Sequence, residues 1–157
     1  GGVAGHFAPR ADALDAGPMG ALALVRQVSA VTAACLAIRA TTYREVGGLD
    51  EQNLSVAFND VDFCLRVGER GYRNLWTPFA QLYHLESVSR GFDTSREKAE
   101  RFAKEIAYMH ERWGTQDYLD PFFNPNLDVS DPSGLFARVS RRVPPWLVAD
   151  DAPQRVA

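Results

Sequence analysis

Carboxylate, imidazole and guanidinium side chains with a spacing suited to catalysis occupy the middle of the sequence. Asp60 and Asp62 open a helical pattern, His84 ends a strand-like segment, and Arg90 lies in the polar loop that follows. A carboxylate at the start of a helix can take a proton from a bound hydroxyl. A histidine ring nitrogen can bind a divalent metal, and an arginine can neutralise a diphosphate. These residue types together favour metal-assisted transfer of a group onto a hydroxyl.

Other interpretations of the same residues stay open. Asp60 can be no more than a helix cap, because aspartate satisfies exposed N–H groups at helix starts and interacts favourably with the helix dipole. His84 can be a hydrogen-bonded surface histidine. The chain can then be a non-catalytic module that binds or docks an acceptor. A metal-dependent hydrolase or phosphotransferase using the same carboxylates and histidine is a further alternative.

The helix that would carry Asp60 is predicted from apolar residues at intervals of three and four. Asn59 or Asp60 is the expected N-cap, and Gly71 suits the position just past the end. The apolar positions on one face are Val61, Cys64, Leu65 and Gly68.

Four further elements are predicted around this helix. A strand covered on both faces is expected over residues 28–38, because the run is almost wholly apolar and contains β-branched residues. A short helix from residue 40 should stop at Gly47 and Gly48. Short strands are expected over 72–78 and 79–84. A capping box of Thr94 and Glu97 opens a helix that ends at Gly114 and whose charged face is expected to be solvated.

Composition bounds the class of protein. The 157 residues are 46% hydrophobic and 24% charged, which is typical of a globular protein with one core. The formal net charge of −3 gives no electrostatic reason to expect nucleic acid as a partner. No apolar run approaches the ~20 residues that span a bilayer. Cys35 and Cys64 are expected to be buried free thiols of a reducing cytosol. We divide the chain into a loop-rich lead-in (1–27), a folded portion (28–129) and a Pro-rich linker or tail (130–157).

Five separate blocks of the sequence resemble the C-terminal half of family-2 glycosyltransferases. These are inverting, nucleotide-sugar-dependent enzymes of the GT-A fold, and the likeness is to the bacterial rhamnosyltransferase-like group that builds surface polysaccharides. The resemblance therefore implies an α/β fold, namely the C-terminal portion of a GT-A domain with a mixed sheet and flanking helices. The blocks are residues 31–39, 47–51, 59–66, 71–72 with Pro78, and 83–87.

The resemblance also implies roles for individual residues. Asp60 occupies the position of the catalytic base, although Asn59 replaces the glutamate that usually precedes it. His84 matches a histidine that completes the metal site, where Mn²⁺ or Mg²⁺ would bind. Arg90 falls where a loop can close over the donor diphosphate. The resemblance also implies a sugar and acceptor pocket lined by Thr32, Ala33, Ala34 and Cys35. Asp62 and Glu86 are the other residues implied in substrate binding. For Asp62, a purely structural role is an equal alternative.

The N-terminal features of that family are not found in this sequence. No paired-aspartate motif precedes the helix at residue 59, and no strand–glycine-loop–helix pattern for phosphate occurs. The chain opens without a Met, and we expect it to be part of a longer cytoplasmic protein, with the inner face of the membrane as an alternative location. The expected partners are a nucleotide-sugar donor, a saccharide or lipid-linked acceptor and the missing N-terminal half. Alone, the chain should be inactive and should self-associate through its open sheet edge.

Overall fold

The structure is a computed structural model that describes residues 2–9, 11–12, 14–83, 96–130 and 135–147. It is a small mixed helix and strand structure. The α-helices and strands follow one another as β1 (Arg26–Val28), α1 (Ala40–Glu45), α2 (Asn59–Glu69), β2 (Asn74–Trp76) and α3 (Arg96–Trp113). Three short 3-10 turns are also present, at Pro18–Gly20, Ala33–Cys35 and Pro145–Leu147.

The sheet of the described residues is a two-stranded antiparallel ribbon rather than the expected mixed sheet. β1 pairs with β2 in the register Arg26 to Trp76, Gln27 to Leu75 and Val28 to Asn74. β2 confirms the centre of the strand predicted over 72–78. Only Val28 of the strand predicted over 28–38 is in a strand, and β1 itself crosses the predicted boundary at residue 27.

The predicted strand over 28–38 is wrong beyond Val28 because side chains occupy the backbone donors that a strand needs. Thr32 Oγ1 accepts a hydrogen bond from the Ala34 N–H at 3.3 Å, and Asp60 accepts one from the Ala33 N–H at 3.0 Å. An amide bonded in this way cannot join a ladder, and a tight turn forms instead. Two adjacent alanines also bury little apolar area, and residues 32–35 are exposed.

The second predicted strand, over 79–84, is also wrong in its described part. Pro78 begins a turn, in which the Phe79 N–H donates to Thr77 Oγ1 at 3.3 Å and the Gln81 side chain donates to the Pro78 carbonyl. Phe79, Leu82 and Tyr83 are exposed, with Tyr83 at 99%. Self-association through an open sheet edge stays a prediction.

The ends of the helices follow the glycines. Gly47 and Gly48 have φ of 83° and 69°, Gly71 has 81° and Gly114 has 58°, so each helix stops where glycine adopts the left-handed conformation. These stops confirm the sequence prediction. The expected N-cap of α2 is wrong: the helix begins at Asn59, and the cap position belongs to Phe58. The predicted capping residue Thr94 lies outside the described residues.

The core lies where α2, α3 and the segments beside them meet. Its buried apolar side chains are Leu54, Phe63, Cys64, Val67, Met109 and Leu127. The segment after α3 is irregular, as predicted, and is tied to the strands through the Ser29 hydroxyl, which donates to Asp120 at 2.7 Å. Residues 135–141 bond back onto residues 125–128, for example through the Asp128 N–H to the Leu135 carbonyl at 2.8 Å.

In the described part of the chain, no helix has the length and apolar character to cross a bilayer.

Candidate active site

Asp60 lies in the first turn of α2, half-buried, and its carboxylate faces the turn at Ala33–Cys35. Oδ2 accepts the Ala33 N–H at 3.0 Å, and Oδ1 accepts the Val61 N–H at 2.9 Å. A carboxylate oxygen has two lone-pair sites, so each oxygen keeps the capacity to accept another hydrogen bond. The structure thus brings together two groups that the sequence placed in one site, the aspartate and the Thr32–Cys35 segment.

The residue just before α2 has a backbone conformation that favours glycine. Phe58 has φ of 62° and ψ of 5°, the left-handed region. A non-glycine residue there costs on the order of 1–3 kcal/mol, and such a conformation persists only when its surroundings impose it. The Phe58 carbonyl accepts the first helical hydrogen bond, from the Asp62 N–H at 2.9 Å. The direction in which α2 starts, and with it the position of Asp60, therefore depends on what holds Phe58.

Asp60 opens onto a depression with a volume of about 1170 Å³, which we name the Asp60 hollow. Thr32, Ala34 and Cys35 line its wall. Among the described residues that line it, Asp60 is the sole carboxylate, whereas three arginines contribute positive charge: Arg26, Arg39 and Arg73. Three arginines and one carboxylate in the same lining suit an anionic ligand that lies close to the Asp60 carboxylate.

Arg26 is the most firmly held of these arginines. Its guanidinium lies 5.1 Å from the Phe7 ring centroid and 5.6 Å from that of Trp76, and its Nε donates to the Ala21 carbonyl at 3.1 Å. Burial lowers the pKa of Arg26, and the nearby Asp120 carboxylate acts in the opposite direction. The guanidinium stays charged at neutral pH because its ordinary pKa is far above that range. Arg26 was not predicted as a site residue, since no local pattern distinguishes it from a surface arginine.

Asp62 is fully buried and points away from the hollow into the contact between α2 and α3. Its Oδ2 accepts from Arg66 Nε at 2.8 Å, and its Oδ1 accepts from Trp113 Nε1 at 3.0 Å. Arg112 Nε lies 3.3 Å from Oδ1 and forms an ion pair with it. Arg66 also donates to the Val46 and Gly48 carbonyls at the end of α1. Both carboxylate oxygens thus have protein donors, which favours the structural role that the sequence left open. The ion pair of Asp62 and Arg66 could have been predicted from the sequence, because residues four positions apart on a helix are neighbours.

Glu105 is the second buried carboxylate, on a helix face that the sequence predicted to be solvated. Its side chain is 2% exposed and accepts hydrogen bonds from the segment that precedes α2. The prediction fails at this position because the charge pattern of a helix does not reveal which loop packs on it.

Asp50 forms a third cluster, on the outer side of Arg112. Burial raises its pKa, but hydrogen bonds from the Asn53 backbone and side chain and from the Tyr108 hydroxyl outweigh burial and lower the pKa to about 2. The Tyr108 oxygen is 2.8 Å from Asp50 Oδ2 and accepts from Arg112 Nη1 at 2.6 Å. These bonds tie α3 to the loop after α1.

The Asp50 cluster predicts acid-sensitive stability. Since the folded pKa of about 2 lies below the ordinary 3.8, the ionised group stabilises the fold above pH ~4, and this contribution is lost as the pH falls towards 2. We expect Asp50→Asn to lower the free energy of unfolding at pH 7, and the difference from the native chain to shrink below pH 4. Urea unfolding between pH 2.5 and 7 measures this. Asp117→Asn, at an exposed position, is the control, and a difference independent of pH would contradict the expectation.

The two thiols differ in environment. Cys64 is fully buried, as predicted, and exchanges weak hydrogen bonds with the backbone of Val31. Burial raises the pKa of the Cys64 thiol. Cys35 is exposed, which contradicts its predicted burial, because the run around it forms a turn rather than a covered strand.

The remaining predicted site residues, His84, Glu86 and Arg90, lie outside the described residues. Within the described ranges, no three side chains of His, Cys, Asp or Glu are grouped so that they could hold a metal ion. His84, the metal ligand predicted in this sequence, is not among the described residues, so the expected Mn²⁺ or Mg²⁺ stays a prediction.

Three curated relatives share parts of this sequence. An uncharacterized protein of Sinorhizobium fredii, y4gI, is 51% identical over 127 residues, which cover 81% of this chain and 14% of that protein. The O-antigen biosynthesis protein RfbC of Myxococcus xanthus is 33% identical over 114 residues, covering 72% of the chain and 8% of the relative. An N-acetylglucosaminyl-diphospho-decaprenol L-rhamnosyltransferase of Mycobacterium tuberculosis is 28% identical over 87 residues, covering 55% of the chain and 28% of the relative.

The chain thus spans less than a third of the length of each of these relatives. No family model matches it, and no solved structure matches it. The similarities relate this chain, distantly and over part of its length, to a glycosyltransferase and to a protein of O-antigen biosynthesis.

Proposed function

We propose that this chain is the acceptor-side part of a glycosyltransferase of the GT-A type, in which Asp60 is the catalytic base. The parent enzyme would move a sugar, such as rhamnose or a hexose, from a nucleoside-diphosphate donor to an acceptor hydroxyl during surface polysaccharide synthesis. One observation carries the proposal most directly. The Asp60 carboxylate and the Thr32–Cys35 turn are hydrogen-bonded to each other at one wall of an open, arginine-lined hollow.

The chemistry follows from the position of the carboxylate. An alcohol is a poor nucleophile, so Asp60 would accept the hydroxyl proton while that oxygen attacks the anomeric carbon. The new glycosidic C–O bond forms as the bond from the carbon to the diphosphate oxygen breaks. The electron pair leaves with the diphosphate. Attack from the face opposite the leaving group inverts the configuration of the carbon.

The arginines of the hollow supply charge for an anionic substrate group. Arg26 is held between two rings, and Arg39 and Arg73 line the same depression. Guanidinium groups bind phosphate oxygens in pairs of hydrogen bonds. A diphosphate-linked saccharide is therefore a suitable acceptor. The resemblance also implies a divalent ion, which would offset charge on the leaving diphosphate. His84 would be one of its ligands.

Product analysis tests the reaction class. With radiolabelled UDP- or dTDP-sugars and lipid-linked diphospho-saccharide acceptors, the full-length protein should form a glycoside of inverted configuration only when acceptor is present. Free sugar or phosphate released without acceptor would instead indicate a hydrolase or phosphotransferase.

Binding to the chain alone is a separate prediction. Because the sequence of this chain has no paired-aspartate motif and no phosphate-binding glycine loop, we expect it to bind UDP or dTDP weakly or not at all, even with Mn²⁺. Isothermal titration calorimetry measures the affinity. Micromolar binding by the isolated chain would contradict the assignment to the acceptor side.

A further inference from the structure

The segment that leads into α2 is held by one carboxylate of α3. Glu105 Oε1 accepts the Val56 N–H at 3.0 Å and the Ser55 hydroxyl at 3.2 Å. Glu105 Oε2 accepts the Ala57 N–H at 3.2 Å. Three donors from three consecutive residues therefore converge on a side chain that is 2% exposed. An ionised carboxylate is the side chain that can accept all of them, because it has acceptor sites only.

A ring contact from the same helix fixes the next residue. The Phe58 ring stacks on Phe102 with centroids 5.6 Å apart and an interplanar angle of 28°. Phe102 precedes Glu105 by one turn of α3, so both lie on the same face. α3 thus holds residues 55–57 by their donors and Phe58 by its ring, and Phe58 is the residue in the left-handed conformation.

The consequence for Asp60 follows from its place two residues further on. The left-handed Phe58 sets the direction in which α2 begins, and the first turn of α2 carries Asp60 to the Ala33 N–H. If the segment relaxed, Phe58 would return to an ordinary conformation and the first turn of α2 would shift. Displacement of a catalytic group by about 1 Å can lower a rate by as much as about 100-fold.

We propose that Glu105 is a positioning residue for Asp60, which acts by holding residues 55–57 so that α2 starts from a left-handed Phe58. The inference rests on the proposed function of Asp60. Glu105 is not among the residues that line the hollow, so it would act through the backbone and not on a substrate. Its role is to fix the backbone of residues 55–58, and this backbone sets the position of Asp60 in the first turn of α2.

The first test measures the segment directly by hydrogen exchange and mass spectrometry of the full-length protein. In Glu105→Gln, one carboxylate oxygen becomes an amide donor that faces a backbone donor or a hydroxyl. We expect faster exchange in the peptides that contain residues 55–57 and Ala33. Glu100→Gln, an exposed glutamate on the same helix paired with Arg96, should leave both peptides unchanged. Unchanged exchange in Glu105→Gln would overturn the proposal.

The second test compares turnover in two backgrounds. In the native background, Glu105→Gln should lower kcat by about 10- to 100-fold and leave the donor KM near its native value. In the Asp60→Asn background it should lower kcat no further. An equal loss in both backgrounds would show that Glu105 does not act through Asp60. Near-normal turnover of Asp60→Asn alone would overturn the proposed function instead, and the exchange result would then decide the role of Glu105 by itself.

A second variant covers the case in which Glu105→Gln fails to fold. Phe102→Ala removes the ring that stacks on Phe58, and at 41% exposure this position tolerates truncation better than a core residue. It should lower kcat in the native background and not in the Asp60→Asn background. Full activity of a folded Phe102→Ala together with an inactive Asp60→Asn would contradict the positioning of Asp60 by α3.

Discussion

Asp60→Asn in the full-length protein is expected to lower turnover by about 100-fold or more while donor binding survives. The substitution keeps the shape of the side chain. An amide can still accept the Ala33 N–H through its oxygen, so the turn at Ala33–Cys35 should keep its contact with α2, whereas the local bond from the Val61 N–H is lost. What is lost is a group that accepts the proton of the attacking hydroxyl. Steady-state transfer assays with varied acceptor and donor give kcat and both KM values.

Glu69→Gln is a matched control for this experiment. Glu69 lies on the same helix, at its other end, and is exposed. It should retain native turnover. Near-normal turnover of Asp60→Asn would remove Asp60 from the role of base and would favour the alternative in which this chain is a non-catalytic docking module.

Asp62→Ala is expected to destabilise the fold by about 3 kcal/mol. The side chain is fully buried, and its removal leaves Arg66, whose side chain is 13% exposed, without its carboxylate partner. The Trp113 indole N–H also loses its acceptor. A buried charge or donor without a partner is far more costly than an exposed one. Urea unfolding followed by tryptophan fluorescence measures the change in the free energy of unfolding.

Glu69→Ala serves as the control, since an exposed charge at the end of a helix changes stability by less than about 0.5 kcal/mol. A loss below about 1 kcal/mol in Asp62→Ala would show that the network around Asp62 does not hold α2 against α3.

Substitutions of Asp60 and Asp62 are expected to have different effects, although the two residues are close in sequence. Asp60 and Asp62 are two residues apart on one helix, yet one opens on the hollow and the other lies in the core. A helix turns by about 100° per residue, so positions two apart point to nearly opposite sides. We therefore expect Asp60→Asn to affect rate with little effect on stability, and Asp62→Ala to affect stability first.

Local patterns were sufficient for the helices. The intervals of apolar residues predicted that α2 and α3 are helices, and the glycines at 47, 48, 71 and 114 marked where helices end. These features depend on neighbours within one turn of the chain. The predicted apolar face of α2 is wrong except at Cys64, because Phe63 and Val67 are buried beside it instead of Val61, Leu65 and Gly68. Asp60 was proposed as the base from its place at the start of a helical pattern, and that role stays a prediction. Its contact with the Thr32–Cys35 segment agrees with the predicted grouping.

Tertiary contacts decided the rest. The run over 28–38 looks like a buried strand, but Asp60 and Thr32 occupy the amides of Ala33 and Ala34 and make a turn. The N-cap of α2 is Phe58 rather than Asn59 or Asp60, and the segment at this cap contacts Phe102 and Glu105, more than forty residues later. Local sequence patterns also did not indicate which carboxylates are buried. The positions of the helices could be predicted from local patterns, since they depend on residues within a few positions. The folded chain determined which acidic side chain faces the hollow and which lies in the core, because burial depends on partners distant in sequence.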